Sequence, residues 1–153
     1  MTEFHEIKII NTQKNNMIDI IYFHDDFFGY LEEAHPRQIE LLNNLPVFYP
    51  DNIDFNHLSV QDFKFLKKFH TKKATEKGIS LAGISIINGC FFEELLDISK
   101  QLIIAENSVD YTPNKFVNTF TKDETKSNLE KLSTILSNIS LHKTEYILLW
   151  EGI

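Results

Sequence analysis

The stretch "EIKIINTQKNNMIDIIYFHDD", residues 6–26, decides how the chain begins to fold. Residues 6–10 and 17–23 are rich in β-branched and aromatic side chains, which suit a pleated, half-buried surface. The polar "NTQKNN" between them supplies turn residues, so the pair predicts a β-hairpin. Five of the six residues 18–23 are apolar, and the run stops at His24 with Asp25 and Asp26 directly after it.

Outward from the hairpin, Pro36, Pro46 and Pro50 bracket a short helix candidate at 37–44 and the loop "LPVFYPDNID". Ser59 is expected to open a longer helix, with Asp62 near the capping-box position. Val60, Phe63, Leu66, Phe69, His70 and Ala74 would share its inner face, Lys64, Lys68 and Lys72 another, and Gly78 would end it. "ISLAGISII" (79–87) predicts a largely buried strand, and "NG" then leads into an amphipathic helix at about 90–105. Its inward residues are Phe91, Phe92, Leu95, Leu96, Ile98, Leu102 and Ile103. Pro113 marks a short helical turn. Thr121 with Glu124 forms a capping box for a helix striped by Leu129, Leu132, Ile135, Leu136 and Ile139. "TEYILLW" (144–150) closes as a strand.

The order β-β-α-α-β-α-α-β predicts an α+β (or α/β) fold, a single domain over 1–153. A mixed sheet of about four strands would pack with three to four amphipathic helices. With 42% hydrophobic residues the chain can bury one core, and no run reaches the roughly 18 apolar residues a membrane span needs. Glu3 and Glu6 stand where a secretory signal would be positive, so a cytoplasmic protein is expected. Cys90 is the one cysteine, which excludes an intramolecular disulfide and a multi-cysteine zinc site.

The net charge of −7 is unevenly spread. Residues 1–62 carry 11 acids against Lys8, Lys14 and Arg37, a balance of −8; residues 63–77 carry +5, and residues 78–153 carry −4. Such a chain repels nucleic acid and attracts a basic protein. The lysine run "KFLKKFHTKKATEK" has no arginine, and its phenylalanines fall at core spacing, so it is expected to be a solvated face. No glycine-rich phosphate-binding motif occurs.

Three chemistries compete at the notable residues. "HDD" resembles the opening of a receiver domain, but Asp51 and Asp54 lie in a Pro-broken loop and no lysine follows the last strand. As metal ligands, His24, Asp25 and Asp26 are adjacent and alternate in direction along an extended chain, so no metal or other cofactor is expected. Cys90 sits at a strand–turn–helix junction, where a helix N-terminus would favour a thiolate, and His24 or His142 could serve as base for a cysteine hydrolase or transferase. Its neighbours Ile86, Ile87, Phe91 and Phe92 point instead to a small buried apolar residue, so no catalytic residue is assigned.

There remain the aromatics and carboxylates of "HDDFFGYLEE" and "FYPDNIDF". Asp25, Asp26, Phe28, Tyr30, Glu32, Glu33, Tyr49, Asp51 and Asp54 form a candidate partner-binding set, with aromatics as desolvated anchors and acids selecting a basic partner. On these segments and its whole-chain profile, the protein resembles the small acidic immunity proteins of bacterial toxin–immunity systems, including those of contact-dependent growth inhibition. That resemblance implies a cytosolic, cofactor-free, non-enzymatic protein that binds and blocks a cognate toxin, often a basic nuclease. A self-associating structural or regulatory domain is the third alternative.

Overall fold

The computed structural model describes residues 4–24, 26–49, 63–80, 82–108 and 122–152. Strands β1 (Phe4–Asn11) and β2 (Asn16–His24) form the expected hairpin, paired antiparallel from Phe4↔His24 to Asn11↔Asn16. The turn has a local cause. The Asn11 side-chain Oδ1 accepts from the backbone N–H groups of Gln13 (3.0 Å) and Lys14 (2.9 Å), and Asn15 adopts the left-handed conformation (φ 55°) that asparagine tolerates. Between the pairs Ile9↔Asp19 and Ile10↔Met17, Ile18 is an extra residue, a β-bulge.

Helix α1 (Asp26–Ala34) and α2 (Pro36–Asn43) follow. Pro36 fits the first position of α2, where no backbone donor is needed. Short β3 (Pro46–Val47) pairs with β4 (Glu76–Lys77) across the intervening chain, which includes a 3₁₀ helix, Lys64–His70. Strand β5 (Ile84–Ile87), a 3₁₀ turn (Gly89–Phe91), helices α3 (Phe92–Ser108) and α4 (Lys122–Ile139), a 3₁₀ turn (Ser140–His142) and β6 (Tyr146–Glu151) complete the described elements.

The main sheet has the order β2-β1-β6-β5, and each neighbouring pair is antiparallel. The α+β class and the four strands are as expected, but the sheet is purely antiparallel where a mixed one is predicted. The last strand enters between β1 and β5, opposite in direction to both. One face of the sheet, with Ile7, Ile9, Ile21, Phe23, Ile87, Leu148 and Trp150, joins the buried apolar residues of α1–α4 in the larger core. On the other face, Ile10, Ile84, Ile86, Ile147 and Leu149 pack with Phe48, Phe63, Leu66 and Phe69.

This second layer corrects one expectation. The helix predicted from Ser59 to Gly78 is a 3₁₀ helix ending at His70, followed by β4; Ser59, Val60 and Asp62 lie outside the described residues. Phe63, Leu66 and Phe69 recur every third residue, the 3₁₀ repeat, and all three are buried. Polar contacts fasten the segment to the sheet. The Phe63 N–H donates to Asn15 Oδ1 (2.7 Å), His70 Nε2 shares a hydrogen bond with Thr12 Oγ1 (2.6 Å), and Asn88 Nδ2 donates to the Phe69 carbonyl (3.0 Å).

The remaining helices follow their apolar stripes. Phe92, Leu95, Ile98 and Leu102 of α3 and Leu129, Leu132, Leu136 and Ile139 of α4 are buried, as their spacing predicts. The buried strand expected over 79–87 is shorter, Ile84–Ile87, and the last strand runs Tyr146–Glu151. Pro113 and Thr121 lie outside the described residues. No helix among the described residues is long and apolar enough to cross a membrane.

Candidate protein-interaction surface

The segment "HDDFFGYLEE" is mostly helix, not the irregular surface its sequence suggests. Phe28 and Tyr30 are core residues, 4% and 3% exposed, and cannot anchor a partner. Phe28 packs against His5 (ring centroids 4.4 Å apart) and Trp150 (5.8 Å). Glu32 and Glu33 lie exposed on the outer side of α1. Asp26 opens α1, its carboxylate 3.9 Å from His24 Nδ1 and its backbone N–H donating to the same nitrogen (3.2 Å). Tyr49 is partly exposed, but its hydroxyl is committed internally, donating to the carbonyl of Gly78 (2.6 Å). Burial, then the nearby Glu76 charge, raises its pKa. Asp25, Asp51 and Asp54 lie outside the described residues.

Four exposed apolar side chains, Phe4, Met17, Ile18 and Tyr22, lie on the hairpin, each at least 36% exposed; Leu41, Ile104 and Leu141 are exposed singly on other elements. Strand alternation sets Phe4, Glu6 and Lys8 of β1 beside Ile20, Tyr22 and His24 of β2 on the sheet face turned away from the helices. Phe4 meets Tyr22 and His24 edge-on, with centroids at 6.2 and 5.3 Å. Lys8 Nζ donates to Glu151 Oε1 (2.8 Å) and lies 3.7 Å from Glu6, so this cluster keeps one net negative charge.

The Lys64–His70 layer covers the β5 side of that face and reaches the hairpin turn at Thr12 and Asn15, and it leaves Phe4 and Tyr22, at the other end of the hairpin, exposed. The β5 edge is also closed, because Phe48 exchanges backbone hydrogen bonds with Ile86 (3.0 and 2.8 Å). The outer edge of the main sheet is therefore β2. It is partly blunted, as edges commonly are, by the bulge at Ile18 and by Lys131, which reaches the Ile20 carbonyl (3.3 Å) and Asp19 (3.1 Å). Where β2, α1 and the first turns of α4 meet, a small open cleft is lined by Phe4, Tyr22, Phe23, His24, Phe27, Glu124, Thr125 and Asn128.

Cys90 departs from its expected burial. It is exposed, its backbone N–H donates to Asn88 Oδ1 (3.1 Å), and no described hydrogen bond joins its thiol to a histidine. Asn88 caps the 3₁₀ turn that carries Cys90. In the lysine run, Phe63 and Phe69 are buried as expected, and Lys68 and Lys72 each lie 5.3 Å from the Phe69 ring. Among the described residues no group of three or more His, Cys, Asp or Glu is arranged to hold a metal.

Phe4, Ile18, Tyr22 and Glu124 were missing from the sequence-based set. Residues 18–23 are apolar on both parities, a run that reads as covered on both faces, so nothing local marks Ile18 or Tyr22 as exposed. No family model, curated protein or solved structure matches this chain, so the reading of its surface rests on its own residues.

Proposed function

We propose that the chain is a non-enzymatic, cytoplasmic protein-binding protein, most concretely an immunity protein that binds and blocks a cognate bacterial toxin domain of basic character. The observation that carries this reading is the end of the hairpin away from its turn, where Phe4 and Tyr22 stand exposed beside Glu6, with Glu151 and Asp26 next to it and Ile18 exposed farther along β2. Apolar groups that gain by desolvation, with acids around them, suit a basic protein surface: the apolar part supplies affinity and the acids supply selection and fast encounter. Blocking then needs no chemistry from this chain, only occupation of the toxin's cationic cleft.

The test is co-expression with a candidate toxic domain taken from a gene neighbouring this chain's own. Growth should be restored by the wild type and lost with Ile18→Ser/Tyr22→Ser, although that variant accumulates and melts normally. Triple reversal of Glu93, Glu94 and Asp97 to Lys, on exposed positions of α3, should leave protection intact. Loss of protection in the α3 variant alone would place the interface elsewhere, and no protection by the wild type would reject the immunity role.

A further inference from the structure

The cleft beside β2 has a shape and chemistry suited to one kind of side chain. Phe23 and Phe27, both buried, form its base, and the exposed rings of Phe4 and Tyr22 stand at its rim. Its α4 side carries Glu124 with Thr125 and Asn128, and neither lysine nor arginine is among its described lining residues. Asp26 adds a second carboxylate close by, through its approach to His24.

We propose that this cleft receives an arginine side chain of the basic partner; the inference rests on the protein-binding reading above. A guanidinium is flat and weakly hydrated, so it can lie on an aromatic ring while its edge donates in a fork to a carboxylate. Glu124 supplies that acceptor. A carboxylate has about four lone-pair sites, so it accepts from an arginine alongside any bond it already makes. A lysine ammonium keeps its water more strongly and cannot stack, which makes it the poorer occupant. A second copy of the chain is a poor source, because each copy carries −7 and has a single arginine, Arg37.

Nα-acetyl-arginine amide, titrated into the isotope-labelled protein and followed by NMR, tests this without any toxin. Saturable millimolar binding is expected, with shifts confined to Phe4, Tyr22, His24, Thr125 and Asn128, tighter than for the lysine amide and absent for the norleucine amide. Glu124→Gln should weaken it about tenfold, the factor for one lost hydrogen bond to a charged group. Glu94→Gln, exposed on α3, should leave it unchanged. Tyr22→Ala removes one rim ring and gives a second reading of the same site if Glu124→Gln disturbs the start of α4. Shifts scattered over surface carboxylates, equal binding of the lysine amide, or full binding in both variants overturns the proposal. Failure here with toxin protection intact rejects the cleft alone; arginine binding without protection rejects the immunity role alone.

Discussion

Phe28→Ala separates the two meanings that "DFFGY" can carry. If Phe28 were an interface anchor, its loss would weaken binding and leave the fold alone. The structure places it in the core at 4% exposure, against His5 and Trp150, which are 3% and 2% exposed. Those neighbours are held from other elements, His5 by β1 and Trp150 by β6, so the space left by the ring cannot collapse cheaply. Truncating a buried phenylalanine costs about 3–5 kcal/mol. In a chain of this size each kcal/mol lowers the melting temperature by roughly 2–4 °C, so a drop of roughly 6–20 °C is expected. The natural comparison is Tyr22→Ala, whose ring is 45% exposed and whose loss should stay within about 1 kcal/mol. Thermal melts followed by far-UV circular dichroism, with urea midpoints as a check on unchanged m, read both variants. A Phe28→Ala protein that melts with the wild type, or a Tyr22→Ala protein that melts far below it, would refute the assignment of α1 and its buried face.

Three further outcomes follow from particular residues. Gly78 has φ +90°, and a Cβ there would stand 2.6 Å from the Asn43 carbonyl oxygen, so Gly78→Ala should lose about 1–3 kcal/mol in urea unfolding. Burial lowers the His70 pKa, and its Nδ1 is buried without a partner. The unfolded chain therefore takes up this proton first as pH falls, near the ordinary value of about 6.5. The stability from neutral His70 is fully present above that pH and is lost as pH falls toward the lower folded-state value. Melting temperature should accordingly fall from about pH 7.5 to about pH 5.5, and less steeply in His70→Gln. Cys90, exposed at a capped turn, should take up one equivalent of Ellman's reagent in the native protein, and Cys90→Ser should change stability by less than about 0.5 kcal/mol.

The hairpin, the stripes of α3 and α4 and the short helix before Pro46 are local patterns, and they were legible for that reason. Strand order is not local. "YILLW" of β6 and "IIYF" of β2 are equally apolar, yet β6 lies inside the sheet with Ile147, Leu148, Leu149 and Trp150 all buried, whereas Tyr22 on β2 stands open at the edge. A continuous apolar run predicts that both faces are covered. Whether they are depends on which strands lie alongside, and here the last strand takes the inner place that would otherwise have protected β2. The exposed surface thus arises from topology, and composition alone assigns its residues to the core.

The mixture of acids and aromatics after His24 dissolves once its geometry is drawn. At about 100° per residue, Phe27, Phe28, Tyr30 and Leu31 fall within an arc of about 160°, and Glu32 and Glu33 fall on the opposite side. The helix therefore sorts what the sequence interleaves, sending the rings inward and the carboxylates outward. A surface that needs both kinds of group side by side cannot be built from α1 alone. It can be built at the junction with β2, where the period changes from two to 3.6 and Tyr22, His24 and Asp26 come out near one another. His24 links the two sides of that junction, its ring 5.3 Å from that of Phe4 and its Nδ1 3.9 Å from the carboxylate that opens α1, and Glu124 of α4 lines the same cleft as Phe4 and Tyr22. Changing Tyr22 or Glu124 tests that junction directly, and changing Phe28 or Tyr30 tests only the core beneath it.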